Sequence, residues 1–315
     1  MTAPWWKPHG IDHNTVNLSY LHDAFREARN SDGKVLPCVK FAHRTEREAA
    51  LRLNARVPGA GFVFRSERRF LDRVAAYLVA HQGVNSVVVA GAGLPHISGD
   101  ADLHSVIRRS EANNRNRTHT TAPATVIYAE HDPLTLAHLR TLANEGEGVH
   151  VVNADPLDPT AMWDTLYNAA SENPGLISDH DRVALLLGGV MSFHSGSRAE
   201  AAQVTQDHLA RLPTGAFLAM THLFMPEHPD LAAKAREFED ALRFLGPGNG
   251  SLATQAQIEM MVHGTTVLPP GIVPAFTWYP DGPLQDPPAC GHFNAAVLAQ
   301  KPGSDDDLPE PPWRP

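Results

Sequence analysis

The sequence predicts an α/β protein with a mostly parallel central sheet, and three observations support this fold class. Short uncharged runs rich in β-branched residues alternate with segments of helical spacing, as expected when helices connect parallel strands. The first run, Ser86–Ala90, ends at a Gly-Ala-Gly turn. Acidic residues stand at or just after the ends of the next two runs, at Glu130 and Asp155. Because the carboxyl ends of parallel strands meet at one sheet edge, these turns indicate a ligand crevice.

The composition is that of a globular, acidic protein. The 315 residues are 43% hydrophobic, which is enough to fill a core, and the formal net charge is −9. The absence of a long Lys/Arg run argues against binding to nucleic acid. Cys38 and Cys290 lie far apart without metal-ligand spacing, which is typical of a reducing cytoplasm. The sequence has no signal peptide or membrane-length apolar run, so we expect a cytoplasmic protein without membrane association.

A helical section is predicted before the first strand of the sheet. Apolar residues recur at helical spacing in three segments, 15–29, 45–55 and 66–81. We interpret residues 1–82 as an N-terminal helical section that forms either a lid or wall of a substrate cleft, or a cap that only covers the sheet. The arginines of the third segment are expected to form a solvated face.

The remaining chain continues the alternation of strands and helices. The strands predicted after the first one are 125–130, 149–153, 183–187 and 216–222, and the predicted helices are 100–109, 134–143, 160–170, 198–211, 229–244 and 254–263. Segments 265–276 and 294–300 are expected to close the sheet as an antiparallel pair. The segment 110–122 is predicted to be a surface loop, 246–250 a helix breaker and 303–315 a disordered tail.

The glycine turn and the acid after the second strand each allow two interpretations. The glycines at Gly91 and Gly93 permit a sharp turn and close approach to a ligand, although Gly-x-Gly also occurs in plain tight turns. Glu130 stands where doubly wound nucleotide sites place an acid that accepts hydrogen bonds from ribose hydroxyls. Alternatively, Glu130 and Asp132 only complement the N-terminus of the following helix.

A set of motifs in fixed order extends over most of residues 62–280. The motifs are Gly91-Ala-Gly-Leu-Pro95, Val126-Ile-Tyr-Ala-Glu-His-Asp-Pro133, Ala154-Asp-Pro-Leu-Asp-Pro159, Val183-Ala-Leu-Leu-Leu187 before a Phe-His turn, Arg68-Arg-Phe-Leu71, and Leu268-Pro-Pro-Gly-Ile-Val-Pro274 with Trp278. Their order and spacing resemble the S-adenosyl methyltransferase family first catalogued as a domain of unknown function. The resemblance implies a Rossmann-like class I methyltransferase fold, with a seven-stranded sheet whose last strand is antiparallel.

The same resemblance implies S-adenosyl-L-methionine (SAM) as the cofactor and residues 83–302 as the domain that binds it. Gly91 and Gly93 would back the methionine and ribose parts of SAM. Glu130 would hold the ribose hydroxyls.

Five further residues receive roles from the resemblance. His131 and Asp132 would lie beside the adenosine, and Asp155 would meet the adenine amino group. Met191 and Ser192, after the fourth strand, would border the space in which the methyl group is transferred. No methyl acceptor is implied.

The chain also departs from the family pattern. The family usually carries an Asp two residues before the glycine turn, where it helps to bind the ammonium end of the cofactor, and this chain has Val89 there. Loss of one charge-assisted contact costs on the order of 1.5–3 kcal/mol. The family's N-terminal Tyr-Asp-Tyr-Leu-Leu-Gly-Gly pattern stands here as His-Asp-Ala-Phe-Arg-Glu-Ala over residues 22–28.

Two functions are therefore weighed. The first is a SAM-dependent methyltransferase that acts on a small molecule in secondary metabolism, with homodimerisation left open. The alternative is a catalytically degenerate or repurposed methyltransferase-like protein with a binding or regulatory role or non-methylating chemistry, which the departures favour. A nicotinamide dehydrogenase is less favoured, because a Gly-x-Gly-x-x-Gly turn would need glycine at His96.

Histidines supply the candidate bases for methyl transfer. A base is needed when the acceptor is a hydroxyl or a protonated amine, and His194 and His222 stand at or just past predicted strand ends on the ligand edge. Since the chain has 18 histidines, one can reach that edge by chance. His222, Glu227 and His228 match no established metal-ligand spacing, and no metal site is predicted.

Overall fold

The central sheet has eight strands within the described part of the chain. The computed structural model describes residues 16–26, 28–29, 35–36, 41–95, 102–114, 123–143, 148–167, 176–178, 180–245, 250–280 and 287–303. Its strands are β1 (Ala28–Arg29), β2 (Val35–Leu36), β3 (Ser86–Ala90), β4 (Thr125–Glu130), β5 (Val149–Asn153), β6 (Val183–Leu187), β7 (Phe217–Leu223), β8 (Thr266–Val267), β9 (Val273–Pro274) and β10 (Asn294–Gln300). The sheet order is β5-β4-β3-β6-β7-β10-β8, with β9 also paired to β10, and β1 and β2 form a separate ribbon.

The directions of the strands confirm the predicted fold class. Strands β3 to β7 pair in parallel, and β10 runs antiparallel to β7, β8 and β9. The expected count of seven strands is too low by one, because segment 265–276 forms two short strands. Pro269 and Pro270 stand between them, and proline lacks the N–H that a continuous ladder requires.

Helices cover the sheet. Those of the described residues are α1 (Leu18–Ala24), α2 (Arg44–Arg56), α3 (Gly61–Gln82), α4 (Leu103–Asn114), α5 (Pro133–Ala143), α6 (Pro159–Tyr167), α7 (Arg198–Arg211), α8 (Pro229–Leu245) and α9 (Gln255–Met261). The predictions for α2, α5, α7 and α8 are confirmed to about one residue at each end. None of the described helices is long and apolar enough to cross a membrane.

The prediction of a helix over residues 15–29 is wrong in length. α1 ends at Ala24, and Ala28–Arg29 pairs with β2. Long-range contacts explain the early end: the Asp23 carboxylate accepts a hydrogen bond from the Ala42 N–H at 2.8 Å, and the Arg26 guanidinium donates to the Pro95 carbonyl at 3.2 Å. Such contacts override helical propensity and leave no periodic signal in the sequence.

Two other helices are longer than predicted. α3 begins at Gly61, because Val63 and Phe64 are buried in a cluster with the other N-terminal helices. α4 continues to Asn114, so residues 110–114 of the predicted surface loop are helical. The rest of that loop, most of the breaker at 246–250 and the tail after 303 lie outside the described residues.

Three of the four arginines of α3 are half-buried and do not form the expected solvated face, whereas Arg69 is exposed. The Arg73 guanidinium donates to the Trp278 and Ala275 carbonyls at 3.0 and 3.3 Å. Arg68 pairs with Asp72 at 2.9 Å. Guanidinium donors can reach distant carbonyls while their stems pack on the helix, which a helical pattern does not reveal.

Hydrophobic residues cover both faces of the sheet. Successive residues of a strand point to opposite faces, so Val88 packs in one cluster with α6 and α7, and Val87 in a second with α3 and α4. A third cluster joins residues of α1, α2 and α3 to Phe238 of α8. The N-terminal helices therefore share a core with a helix of the sheet region, and a domain boundary at residues 82/83 stays a prediction.

Candidate active site

A cleft of about 670 Å3 lies at the carboxyl ends of β3, β4 and β6. The turns after these strands line the cleft together with residues of α1, α3 and α4. Small-molecule sites typically enclose about 300–1,000 Å3, so the volume suits a ligand of cofactor size. The N-terminal section thus contributes a wall of the cleft, as one of its two sequence interpretations expects.

The glycine turn after β3 lies against this cleft and requires glycine. Gly91 and Gly93 have φ angles of 67° and 65°, in the left-handed region that side chains disfavour. A Cβ on Gly91 would come within 2.5 Å of the Val190 Cγ2 atom. The turn consequently presents bare backbone to the cleft, and the close approach of a ligand to it stays a prediction.

Glu130 ties the glycine turn to the end of β4. Its side chain is buried, and Oε2 accepts a hydrogen bond from the Gly93 N–H at 3.1 Å. Oε1 accepts from the N–H groups of His131 and Asp132 at 2.9 and 3.1 Å. These bonds orient the carboxylate, and each carboxylate oxygen has lone pairs for more than one donor, so a ribose hydroxyl can still bind there.

Asp132 lines the cleft but mainly caps the following helix. Its Oδ1 accepts hydrogen bonds from both the N–H and the hydroxyl of Thr135 at 2.8 Å. The Asn17 side-chain amide reaches Oδ2 at 3.5 Å, which brings the start of α1 beside the end of β4. For Asp132, the helix-complementing interpretation is therefore confirmed, and contact with the adenosine stays a prediction.

The turn after β5 reaches the same region through His131. The His131 Nδ1 atom is 3.6 Å from Glu130 Oε1 and 4.0 Å from Asp155 Oδ1. His131 lines the cleft, whereas Asp155 does not; its neighbours Pro156 and Leu157 do. The structure thus brings the three predicted turns together, with the Asp155 carboxylate at their outer edge.

Met191 and Ser192 do not border the cleft. The 3-10 turn that follows β6 directs both side chains into the core, where each is fully buried. The Ser192 hydroxyl accepts a hydrogen bond from the Leu223 N–H at 2.8 Å. Gly188, Gly189, Val190 and Phe193 of the same segment line the cleft instead, because a 3-10 turn has three residues per turn and places Val190 and Phe193 on the same side.

His222 is a structural residue and not an accessible base. It is fully buried in β7; its Nδ1 lies 2.7 Å from the Leu223 carbonyl and its Nε2 lies 3.0 Å from an Arg198 nitrogen. Burial lowers the pKa of His222 to about 4, so its ring is neutral at pH 7. Nδ1 therefore donates to the carbonyl and Nε2 accepts from Arg198, which leaves neither nitrogen for a substrate.

His194 also lies outside the residues that line the cleft. Its Nδ1 accepts a hydrogen bond from the Gly196 N–H at 3.0 Å, which stabilises the loop before α7. The geometry gives no support to a role as base. Both histidines lie near strand ends at the sheet edge that carries the cleft, as the sequence predicts. Neither ring lines the cleft.

Two residues that the sequence analysis missed, Glu67 of α3 and His22 of α1, line the cleft. The Glu67 Oε2 atom accepts hydrogen bonds from the Thr221 hydroxyl at 2.8 Å and the Asn294 amide at 3.4 Å. The His22 Nδ1 atom is 3.7 Å from Glu67 Oε1. Neither residue follows a strand, so the strand ends do not point to them. The signal available for Glu67 is an acid directly before the Arg68-Arg-Phe-Leu71 motif.

Burial shifts the pKa values of these two groups in opposite directions. It raises the pKa of Glu67 to about 7, against the hydrogen bonds from Thr221 and Asn294, which lower it. It lowers the pKa of His22 to about 4. Desolvation disfavours the charged form in each case. Near neutral pH the His22 ring is therefore uncharged, and the Glu67 carboxyl is partly protonated.

Val89 gives the cleft an apolar patch. Its side chain lines the cleft, is almost fully buried and packs in the cluster beneath α3 and α4. The other residues fit a nucleoside cofactor: the turn at Gly91 is a cradle that a Cβ would fill, and the Glu130 carboxylate is an acceptor for ribose hydroxyls. An ammonium group would not find an anion at position 89.

Comparisons with known proteins agree with this fold. The sequence profile of a family described as S-adenosyl methyltransferase matches residues 40–302. A proposed methyltransferase from Thermobifida fusca has a similar structure, with a TM-score of 0.74 at 22% identity over 95% of this chain and 100% of that one. A DUF574 family protein from Streptomyces avermitilis has a TM-score of 0.71 at 21% identity over 91% and 98% of the two chains. No curated protein gave a significant sequence match.

Proposed function

The chain belongs to the S-adenosyl methyltransferase family, and from this premise we propose that it is a SAM-dependent methyltransferase that acts on a small-molecule acceptor. The observation that carries the proposal is the hydrogen bond between the Gly93 N–H and Glu130 Oε2, which joins the glycine turn and the ribose-type acid in one cleft. Both belong to the pattern by which doubly wound folds bind nucleosides.

Different residues of the cleft bind different parts of SAM in this proposal. Gly91 and Gly93 offer backbone to the methionine and ribose parts of SAM, and the oriented Glu130 carboxylate accepts hydrogen bonds from the ribose hydroxyls. His131 lies between Glu130 and Asp155 and is available to contact the adenosine. Bound SAM supplies a methyl group on a positively charged sulfur. The protein aligns the acceptor with that methyl group and excludes water.

The shape of the cleft supports a small acceptor. Residues of α1 and α3 line the cleft together with the glycine turn, and we expect the acceptor to share a volume of about 670 Å3 with the cofactor. This volume lies within the range of about 300–1,000 Å3 that small-molecule sites typically enclose. Cytoplasmic location, secondary metabolism and homodimerisation stay predictions from the sequence.

The non-methylating alternative draws on the altered N-terminal pattern over residues 22–28 and on the apolar Val89, which lines the cleft. Without a carboxylate at this position, one contact to the ammonium end of SAM is lost, and the affinity falls by about one to two orders of magnitude unless another group replaces it. The two functions therefore differ in whether SAM binds at all.

Calorimetry with SAM and with S-adenosylhomocysteine (SAH) tests the proposal. We expect micromolar binding of both ligands to the native protein, and at least tenfold weaker binding to Glu130→Gln. Glu237→Gln, an exposed acid on α8 away from the cleft, is the matched control and should bind as the native protein does. Failure of the folded protein to bind either ligand would reject the proposal and favour the alternative.

A further inference from the structure

Glu67 occupies the part of the cleft below the turn that follows β6. A Cβ on Gly189 would lie 2.9 Å from Glu67 Oε2, and one on Gly188 would lie 3.9 Å from Oε1. The glycine pair thus leaves room for the carboxylate to reach the cleft from α3. Val190, the next residue, contacts the position where a Gly91 side chain would stand. Gly189 therefore lies beside Glu67, and the next residue, Val190, lies beside the Gly91 turn that is proposed to bind SAM.

Only one oxygen of the Glu67 carboxylate accepts hydrogen bonds from the described residues. Among the described residues, both hydrogen bonds to Glu67 reach Oε2, from Thr221 on β7 and Asn294 on β10. Oε1 faces the His22 Nδ1 atom at 3.7 Å, which is beyond hydrogen-bond distance. An acceptor oxygen or nitrogen placed between these two atoms can contact both at normal hydrogen-bond distances. Oε1 is consequently the oxygen that remains free to take a proton.

The surroundings leave this pair without a permanent counter-ion among the described residues, and the side chains of His22 and Glu67 are 28% and 10% exposed. The groups that face the Glu67 carboxyl are His22 from α1, Thr221 from β7 and Asn294 from β10, and within the described ranges no lysine or arginine pairs with it. The His22 ring packs on Phe64 at 4.4 Å, and its Nε2 atom is buried without a hydrogen-bond partner among the described residues. Phe193 also lines the cleft.

We infer that Glu67 is the base that accepts the proton of the methyl acceptor, and that His22 is the positioning residue beside it. This inference rests on the proposed function. The acceptor is a molecule with an apolar or aromatic body, which packs on Phe64 and Phe193, and with a hydroxyl or ammonium group that is protonated at neutral pH. A phenol, whose pKa is about 10, belongs to this class.

In the proposed step, the methyl carbon exchanges its bond to sulfur for a bond to the acceptor. The acceptor's electron pair forms the new bond to the methyl carbon, and the carbon–sulfur bond breaks with its electron pair retained by sulfur. The proton of the acceptor's O–H or N–H group goes to Glu67 Oε1 and is released to solvent after the product leaves. A base whose pKa lies near the working pH is suited to this exchange, and burial raises the pKa of Glu67 to about 7.

Calorimetry and infrared spectroscopy test the inference without a known acceptor. A bound sulfonium lowers the pKa of a carboxyl in the same cleft, whereas SAH carries no such charge. At pH about 7 we expect SAM to release roughly half a proton on binding, measured in buffers of different ionisation enthalpy, and SAH to release less. Glu67→Gln should abolish the difference between the two ligands, and Glu237→Gln should retain it.

The infrared band of a protonated carboxylic acid supplies a second measurement. It should disappear from the native protein with a midpoint near pH 7 and be absent from Glu67→Gln. Should Glu67→Gln fail to fold, Thr221→Val replaces it, and loss of the Thr221 hydrogen bond should move the midpoint upward. SAM binding with the same proton release in Glu67→Gln, or no band that titrates near neutral pH, overturns the inference and leaves the proposed function standing. Absence of SAM and SAH binding rejects the proposed function and, with it, the inference.

Discussion

The Gly93 N–H donates a hydrogen bond to the Glu130 Oε2 atom at 3.1 Å and thereby joins the turn after β3 to the end of β4. The residues are 37 positions apart in the chain. Because Oε1 is held by two further N–H groups, the carboxylate has one orientation before any ligand binds. A ligand that uses both the turn and the acid therefore meets a preorganised pair, and little conformational entropy is lost on binding.

We expect Gly91→Ala to destabilise the protein more than Gly215→Ala. Both glycines have left-handed φ angles, 67° and 78°, and alanine there costs about 1–2 kcal/mol. At Gly91 the new Cβ also meets Val190 at 2.5 Å, whereas at Gly215 it meets open space. Urea unfolding measures the difference. Equal losses in the two variants would contradict the close packing of the turn.

Asp132→Ala should lower the free energy of unfolding by about 1 kcal/mol, because the cap of α5 is lost. Asp132→Ser should restore most of this stability, since serine also caps helices. Comparison of SAM affinity in the two variants separates the roles of the residue. If Asp132→Ser is as unstable as Asp132→Ala, the capping assignment is incorrect.

Stability should depend on pH through His222. Its pKa is lowered from 6.5 to about 4 by burial, so between these values the unfolded chain binds more protons than the folded one. Stability is therefore retained above about pH 6.5 and falls as the pH decreases, by up to about 1.4 kcal/mol per unit. His222→Gln should weaken this dependence in urea unfolding at several pH values. The exposed His228→Gln should not, and an unchanged slope in His222→Gln would argue against burial as the cause.

Glu67 should act on stability in the opposite direction. Burial raises its pKa from 4.5 to about 7, so the folded protein binds more protons than the unfolded chain between these values. Its contribution is fully present below about pH 4.5 and declines as the pH rises through 7. The free energy of unfolding of Glu67→Gln, minus that of the native protein, should hence be larger above pH 7 than at low pH. Thermal unfolding of both proteins between pH 4.5 and pH 8 measures this difference in stability.

Trp163→Phe should lower the free energy of unfolding, because Trp163 supports the turn after β5 through His208. The Trp163 indole N–H donates to His208 Nδ1 at 3.0 Å, and the other ring nitrogen of His208 lies 2.8 Å from the Pro156 carbonyl at the rim of the cleft. Phenylalanine leaves the buried His208 nitrogen without its donor, at a cost of about 1–3 kcal/mol. A loss below that range in urea unfolding would show that His208 finds another donor.

The sequence alone determined the sheet and its ligand edge. Strand runs such as 125–130 and 183–187 coincide with β4 and β6, because buried parallel strands need continuous apolar residues and leave a local signal. The glycine turn and Glu130 were identifiable for the same reason, since both follow directly from the ends of these strands.

Only the tertiary structure decided which side chains face the cleft. His194, His222, Met191 and Ser192 stand near strand ends in the sequence, yet the turn after β6 and the pairing of β7 with β10 direct them away from it. Glu67 and His22 reach the cleft from helices that precede the sheet. The direction of a side chain depends on contacts between residues as far apart as Glu67 and Asn294, and no local pattern records such contacts.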